Sequence, residues 1–389
     1  MNTVKGNSRS QWLSTTKTTP EWINIKRTGG TPVIDTYSFT QSAEVDITDQ
    51  GMLQVATEVS VAGSVEGEMH IIDPADQLMW ASVLRNSITE TTTSATVSFA
   101  SGVMTDDGAT GAFSNYSVGS FIVPKGASLN GSTIFKVIAK EDDNTLTLAP
   151  APSDESAQAV SFTVKEVRNG TTRQPLNFQE RVPTDTDTLY NTFEDILVTA
   201  TTFTTAPSSI LKMSNSIMGF ERLPQDTQVT GSTDSTLINS NILGSVNGVA
   251  GFFIDDEFVT RGTTCFTDYT CTIDTGANAE YALGGKGACS ISQSAYKVTG
   301  NLKSFASSAS ASEYQVEKDK QRNETKFGLA AVFKDVDNNY LVVSTPSVIY
   351  TALDQSELAN GTTVMNTGTY SADGKSGTGY TVQISVITA

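Results

Sequence analysis

The residues able to do chemistry are few and scattered. The chain has one histidine, His70, so a hydrolytic triad or a histidine-rich metal site has too few parts. Carboxylates gather at Asp73/Asp76 and at Asp255-Asp-Glu257. A glycosidase uses such a pair to protonate the leaving oxygen and to attack or activate water. Helix caps and solvated turns account for them more cheaply. Asp335-Val-Asp-Asn-Asn339 begins like a calcium loop, but Tyr340 stands where that loop needs Gly and Pro346 where it needs Glu. A hairpin turn is expected there. Gly284-Gly-Lys-Gly287 lacks the preceding glycine of a phosphate cradle and is followed by Ala288, which favours a strand-edge turn. Asn169-Gly-Thr171 would matter as a glycosylation acceptor only in a secreted chain. No catalytic residue, metal ligand or cofactor is assigned, and a non-enzyme is expected.

The three cysteines, Cys265, Cys271 and Cys289, are odd in number and confined to one region, unlike a secreted disulfide scaffold. Cys265 and Cys271 would lie roughly 20 Å apart on one strand, too far to bridge. Either could face Cys289 on a neighbouring strand. Thiols kept reduced in a cytoplasm are the plain expectation.

The elements carry more than the chemistry does. Residues 54–71 alternate between a largely apolar set (Val55, Val59, Val61, Val65, Met69, Ile71) and a largely polar set that includes Glu58, Glu66, Glu68 and His70. Period two is a strand with one apolar face. A strand of that length runs roughly 60 Å, against a usual length of about 17–20 Å. It suits a wall better than a pocket. Val61-Ala-Gly63-Ser-Val65 is echoed by Val298-Thr-Gly300-Asn-Leu302, with Lys297 and Lys303 on the alternate positions. Gly63, Gly67 and Gly300 are read as structural glycines. Aligning Gly63 with Gly300 sets Glu66 against Lys303 and Ser60 against Lys297. Copies alternating round a ring would then bring opposite charges together, which favours orientation more than stability. Two ordinary solvated faces fit the same pattern.

Composition points the same way. The chain has 389 residues, enough for two or three domains. Charged residues make up 17% and Ser, Thr, Gly and Val abound, favouring strands over a helical bundle. The net charge of −17 disfavours adhesion to nucleic acid or to anionic membranes. Residues 1–30 carry Lys5, Arg9, Lys17, Lys26 and Arg27 against Glu21, a net of +4 that leaves −21 on the rest. The start of the chain lacks the apolar run of a signal peptide, and no stretch is apolar enough for a transmembrane helix.

Residues 1–30 read as an N-terminal arm, either packed against something else or frayed. Strand patterns follow at 33–48 (Ile34, Tyr37, Phe39, Val45) and 54–71. Asp73 (N-cap), Pro74 (N1) and Asp76 (N3) then start a helix whose apolar stripe is Leu78, Met79, Val83 and Leu84. Residues 88–170 hold short strands between turns such as Asp106-Asp107-Gly108 and Asn130-Gly131, and read as an inserted small β-barrel. Longer strands return at 177–182, 196–203 and 210–218. The Ser/Thr/Asn/Gly-rich stretch 223–250 reads as a linker or long loop. The second half has strands near 265–273, 288–305, 328–334, 340–350 and 379–387, and a capped polar helix from Ser310 to about 321. Each half thus runs strand, V-x-G strand, short helix, further strands. The domains expected are the arm 1–30, a first unit at 31–87 and 171–222, the insert 88–170, the linker 223–250 and a second unit at 251–389.

Ser60-Val-Ala-Gly-Ser-Val-Glu-Gly-Glu68 before the short helix, Val118-Gly-Ser-Phe-Ile122 with Ile134-Phe-Lys-Val137 and Asn144-Thr-Leu-Thr-Leu148, and the stretch 177–219 ending in Ser216-Ile-Met-Gly219 make roughly residues 31–389 resemble the major tail tube proteins of long-tailed bacteriophages, in a two-copy subfamily. The resemblance implies a mainly β fold, with duplicated sandwich or barrel units that each carry a short helix. It implies self-association into rings that stack helically into a tube in the virion tail, assembled in the host cytoplasm beside other tail proteins. DNA would pass through the lumen without specific binding, with no membrane involved. Glu58, Glu66, Glu68, Lys297 and Lys303 are then the candidate polar face of the ring or lumen. Two units per chain favour three chains per ring with pseudo-sixfold symmetry, and six chains are the alternative. The insert is expected on the outer wall. The rivals are a β-sandwich adhesin or decoration protein on a virion surface, and a β-rich tail hydrolase using Asp255 to Glu257.

Overall fold

A computed structural model describes residues 9–41, 54–184, 187–220, 222–223, 228–236, 240–260, 264–305, 310–356, 364–372, 374 and 379–388. Lys5 and Val45 lie outside them. The fold is mainly β, with two helices among the described residues, Pro74–Leu84 (α1) and Ser310–Arg322 (α2). All strands but the small hairpin Asn278–Glu280/Ser290–Ser292 belong to one hydrogen-bonded network.

Eight antiparallel strands make its spine. Their order is Ile34–Gln41, Gln54–Glu68, Lys212–Gly219, the later half of Thr188–Thr205, Phe266–Asp274, Lys297–Phe305, Met365–Ala372 and the later half of Tyr340–Gln355. The first four strands and the last four are joined in the same order. Numbered from Gly63 and Gly300, the pairings correspond. Gly63 faces Ile217 and Gly300 faces Tyr370. One step further, register shifts fall between Val198 and Ala200 in one half and between Tyr350 and Ala352 in the other. A third match lies in the outer layer, where Leu176 faces Ile196 and Phe327 faces Val348, each followed by a shift.

One face of the spine is apolar because alternate residues on most of its strands are. Val59, Val61 and Val65 are buried, as are Met213, Ile217, Phe203, Cys271, Ile273, Val298 and Leu302. Beneath them lies α1. Asp73 Oδ1 caps it by accepting from Ala75 N at 3.0 Å, Pro74 opens it, and Arg85 ends it in the left-handed region. Its Trp80 donates to the Met213 sulfur at 3.1 Å and meets the Phe203 ring. Burying a ring of that size contributes a few kcal/mol.

Several boundaries differ from the sequence reading. The long strand stops at Glu68, because Met69, His70 and Ile71 turn inward ahead of the helix. The expected arm is no arm over its described part. Ser10–Ser14 and Glu21–Ile25 form a hairpin on Leu176–Pro183 and bury Leu13, Trp22 and Ile25. Three apolar side chains in a basic, Thr-rich stretch were enough to anchor it. The expected linker is packed too. Leu243 is buried, and Thr233–Asp234 pairs with Glu21–Trp22. The expected strand 288–305 is two pieces, with a turn between Ser292 and Lys297. Met365–Ala372, made mostly of small and polar residues, is a strand the periodicity missed.

The insert has its own core around Phe99, Phe113, Phe121, Phe135 and Phe162, but that core continues into the second half through Phe253, Val332 and Val342. The last strand, Gln383–Thr388, pairs with Thr163–Arg168 on one side and Tyr340–Ser344 on the other. Lys136 Nζ adds bonds to Asp255 O at 2.8 Å and Asp256 Oδ1 at 2.7 Å.

Candidate functional site

The other face of the spine is largely polar across its six central strands. One row of register partners reads Glu66, Ser214, Thr202, Thr272, Thr299 and Ser371. The hydroxyls of Thr202 and Thr272 meet at 3.0 Å where the halves join. This is a Ser/Thr carpet with charges towards its ends. Glu66 is exposed opposite Ser214, and Glu68 stands opposite Lys212. Glu58 accepts from the Tyr281 hydroxyl, whose pKa burial and this carboxylate raise. Lys297 is opposite Asp274, and Lys303 lies 3.8 Å from Asp268 within its own half. The polar residues singled out in the sequence thus share one face, spread along its strands rather than gathered to a point.

The three glycines are required by close approach. A Cβ on Gly63 would lie 2.7 Å from Val33 Cα, one on Gly67 2.8 Å from Lys26 O, and one on Gly300 2.0 Å from Thr270 O.

Sequence reasoning missed the joint and the edges. Ala200–Thr205 pairs with Tyr269–Asp274, residue for residue from Ala200↔Asp274 to Thr205↔Tyr269. Thr275 N continues the joint by donating to Thr199 O at 2.9 Å. Among the described residues, the corresponding strands at the two ends of the spine have no strand on their outer side. One end is Ile34–Gln41, where Ile34, Tyr37 and Phe39 are 49%, 47% and 60% exposed. The other is the stretch from Thr351 to Gln355. Its carbonyls are covered by side chains of α2: Lys318 Nζ donates to Leu353 O, and Gln321 Nε2 to Thr351 O at 3.4 Å. Sheet edges are commonly guarded in this way.

The chemically suggestive residues are occupied structurally. Asp255 Oδ1 accepts from Gly328 N at 2.8 Å in a hairpin turn, and Asp335 accepts from Asp337 N, Asn339 N and Asn339 Nδ2. Gly284 to Gly287 tip an exposed loop. No disulfide joins the cysteines. Cys265 and Cys289 are exposed, and burial pushes the Cys271 thiol up to about 11. Among the described residues no group of three or more His, Cys, Asp or Glu could hold a metal ion, and no helix is long and apolar enough to cross a membrane.

His70 and Asp76 form a buried pair, 3.8 Å apart. That spacing is compatible with an ion pair, but the environment is not. Burial lowers the His70 pKa, and burial with the nearby Asp73 charge raises that of Asp76. Burial thus disfavours the charged form of both side chains, and the Lys26–Asp73 ion pair lies beside them at 3.2 Å.

Comparison with protein-family models and with curated proteins returns no match.

Proposed function

We propose that the chain is a structural subunit whose copies join edge to edge into closed rings, and that the rings stack into the tail tube of a long-tailed phage, a conduit for DNA. The observation that carries this reading is the internal joint. Each half is a four-stranded sheet that already accepts another half along its edge. The two open ends present the counterparts of the strands that meet inside. An isolated chain leaves those edges as hazards, and ring closure removes them.

The internal joint also supplies the register. With Gly63 equivalent to Gly300 and the shift after Val198 equivalent to that after Tyr350, Ala352 falls opposite Thr36, Leu353 opposite Asp35 and Asp354 opposite Ile34 of the next copy. The exposed Tyr37 and Phe39 would then lie against a neighbour.

Two units per chain favour three copies per ring, with six as the alternative. The Ser/Thr carpet faces the lumen. Its hydroxyls hydrate readily and its carboxylates (Glu58, Glu66, Glu68) repel phosphates, so DNA slides rather than binds. The insert, fused to the second half through its core, sits on the outer wall.

The test is a cross-link. Directly opposed strand residues have Cβ atoms about 4.5–5.5 Å apart. Ile34→Cys with Asp354→Cys should give covalent closed rings under oxidation, while the displaced pair Phe39→Cys with Asp354→Cys should not. Monomers from both pairs at every concentration would remove the reading.

A further inference from the structure

Resting on the ring reading, we propose that rings stack by a knob-and-cleft contact between copies, with the loop tip at Leu283 of one copy seated in the cleft beside Phe305 of the next.

The two features lie at opposite ends of the same strands. The register puts Glu68, Lys212, Thr205, Phe266 and Phe305 at one end of the spine, and Ala200, Asp274 and Lys297 at the other. The loop 275–296 leaves the second end. It is held in place rather than loose. Thr275 binds Thr199, Cys289 N donates to Glu280 O at 2.8 Å, and Val59 N donates to Lys286 O at 2.8 Å. Its tip nevertheless presents Leu283 at 106% exposure, flanked by Tyr281 and Lys286, both exposed. With the exposed Tyr281 ring on the same anchored tip, Leu283 gives an apolar surface of more than one residue, a place for contact.

At the first end is a cleft of about 340 Å³ lined by Phe252, Phe266, Phe305, Val246, Asp268 and Cys265. Val246 is 73% exposed and Phe305 42%. Its apolar wall suits a leucine, and Asp268, which already faces Lys303 at 3.8 Å, adds a carboxylate on the side where Lys286 would approach. Because knob and cleft occupy different ends of one chain, each copy can use both at once. Such a heterologous contact, with knob and cleft at opposite ends of the strands, is of the kind that propagates along an axis when its rotation does not close. The same placement rules out self-satisfaction. Nine residues of strand, Phe266–Asp274, separate the ends, about 30 Å at roughly 3.3 Å per residue.

The test uses Cys265 as it stands. In the full chain, Leu283→Cys with Cys289→Ser removes the competing thiol in the loop. Oxidised at high concentration, this variant should give a ladder of covalent multimers on a non-reducing gel, lost when Cys265→Ser is added. Leu283→Asp, fully exposed and harmless to folding, should leave rings that no longer stack. Rings or tubes with no ladder, or a ladder that survives Cys265→Ser, would overturn the contact and spare the ring reading. A chain that forms neither rings nor ladder, and that also fails the Ile34/Asp354 cross-link, would overturn both.

Discussion

At the scale of single residues, the account turns on groups held in unusual surroundings. Asp76 has a folded pKa above its ordinary 3.8. The folded state therefore holds that proton more tightly than the unfolded chain does. The stability this lends is complete below about pH 3.8 and is lost as pH rises through the folded value. Asp76→Asn keeps the shape without the proton. It should match the native chain near pH 4 and exceed it by on the order of 1 kcal/mol or more near pH 8, read from thermal melts at both. His70 acts in the opposite sense. Its lowered pKa removes stability as pH falls below 6.5. Gly300→Ala should destabilise by about 1–3 kcal/mol, because the obstructing atom is backbone. Gly244→Ala, with nothing within 4 Å, is the control and should be near neutral. The need for glycine was legible in the V-x-G echo, but its cause, a neighbouring chain crossing close by, was not.

At the scale of elements, the edges decide behaviour. Lys318 occupies the Leu353 carbonyl that the joint would use. Lys318→Ala should therefore lower the concentration at which assembly begins, by a fewfold in light-scattering onset, and leave the melting temperature of the isolated chain nearly unchanged. A higher onset would mean that the lysine helps the joint rather than guarding it. Legibility follows range. The first helix was readable because Asp73, Pro74 and the stripe from Met79 to Leu84 are local signals. The long strand was readable from its period of two. The pairing of Ala200–Thr205 with Tyr269–Asp274 was not. Nothing in Thr-Ala-Thr-Thr-Phe-Thr names a partner tens of residues away, since register is set by burial and neighbours. Residues 10–25 misled because basic and Thr-rich composition outweighed Leu13, Trp22 and Ile25, which the fold buries.

At the scale of the molecule, charge and symmetry compete. A ring of three chains carries −51, three times −17. Self-repulsion on that scale weakens as salt shortens the Debye length from about 30 Å at 0.01 M to about 8 Å at 0.15 M. Assembly followed by sedimentation should therefore rise with salt over that range, and equal assembly at both would remove the electrostatic part of the account. Closure by edge joining is checked by electron microscopy of the concentrated wild-type protein at moderate salt. The account predicts hollow tubes of stacked rings, each ring one continuous sheet with Asp354 of one copy opposite Ile34 of the next. Compact single particles at every concentration and salt, or rings whose copies meet away from these two strands, would contradict it.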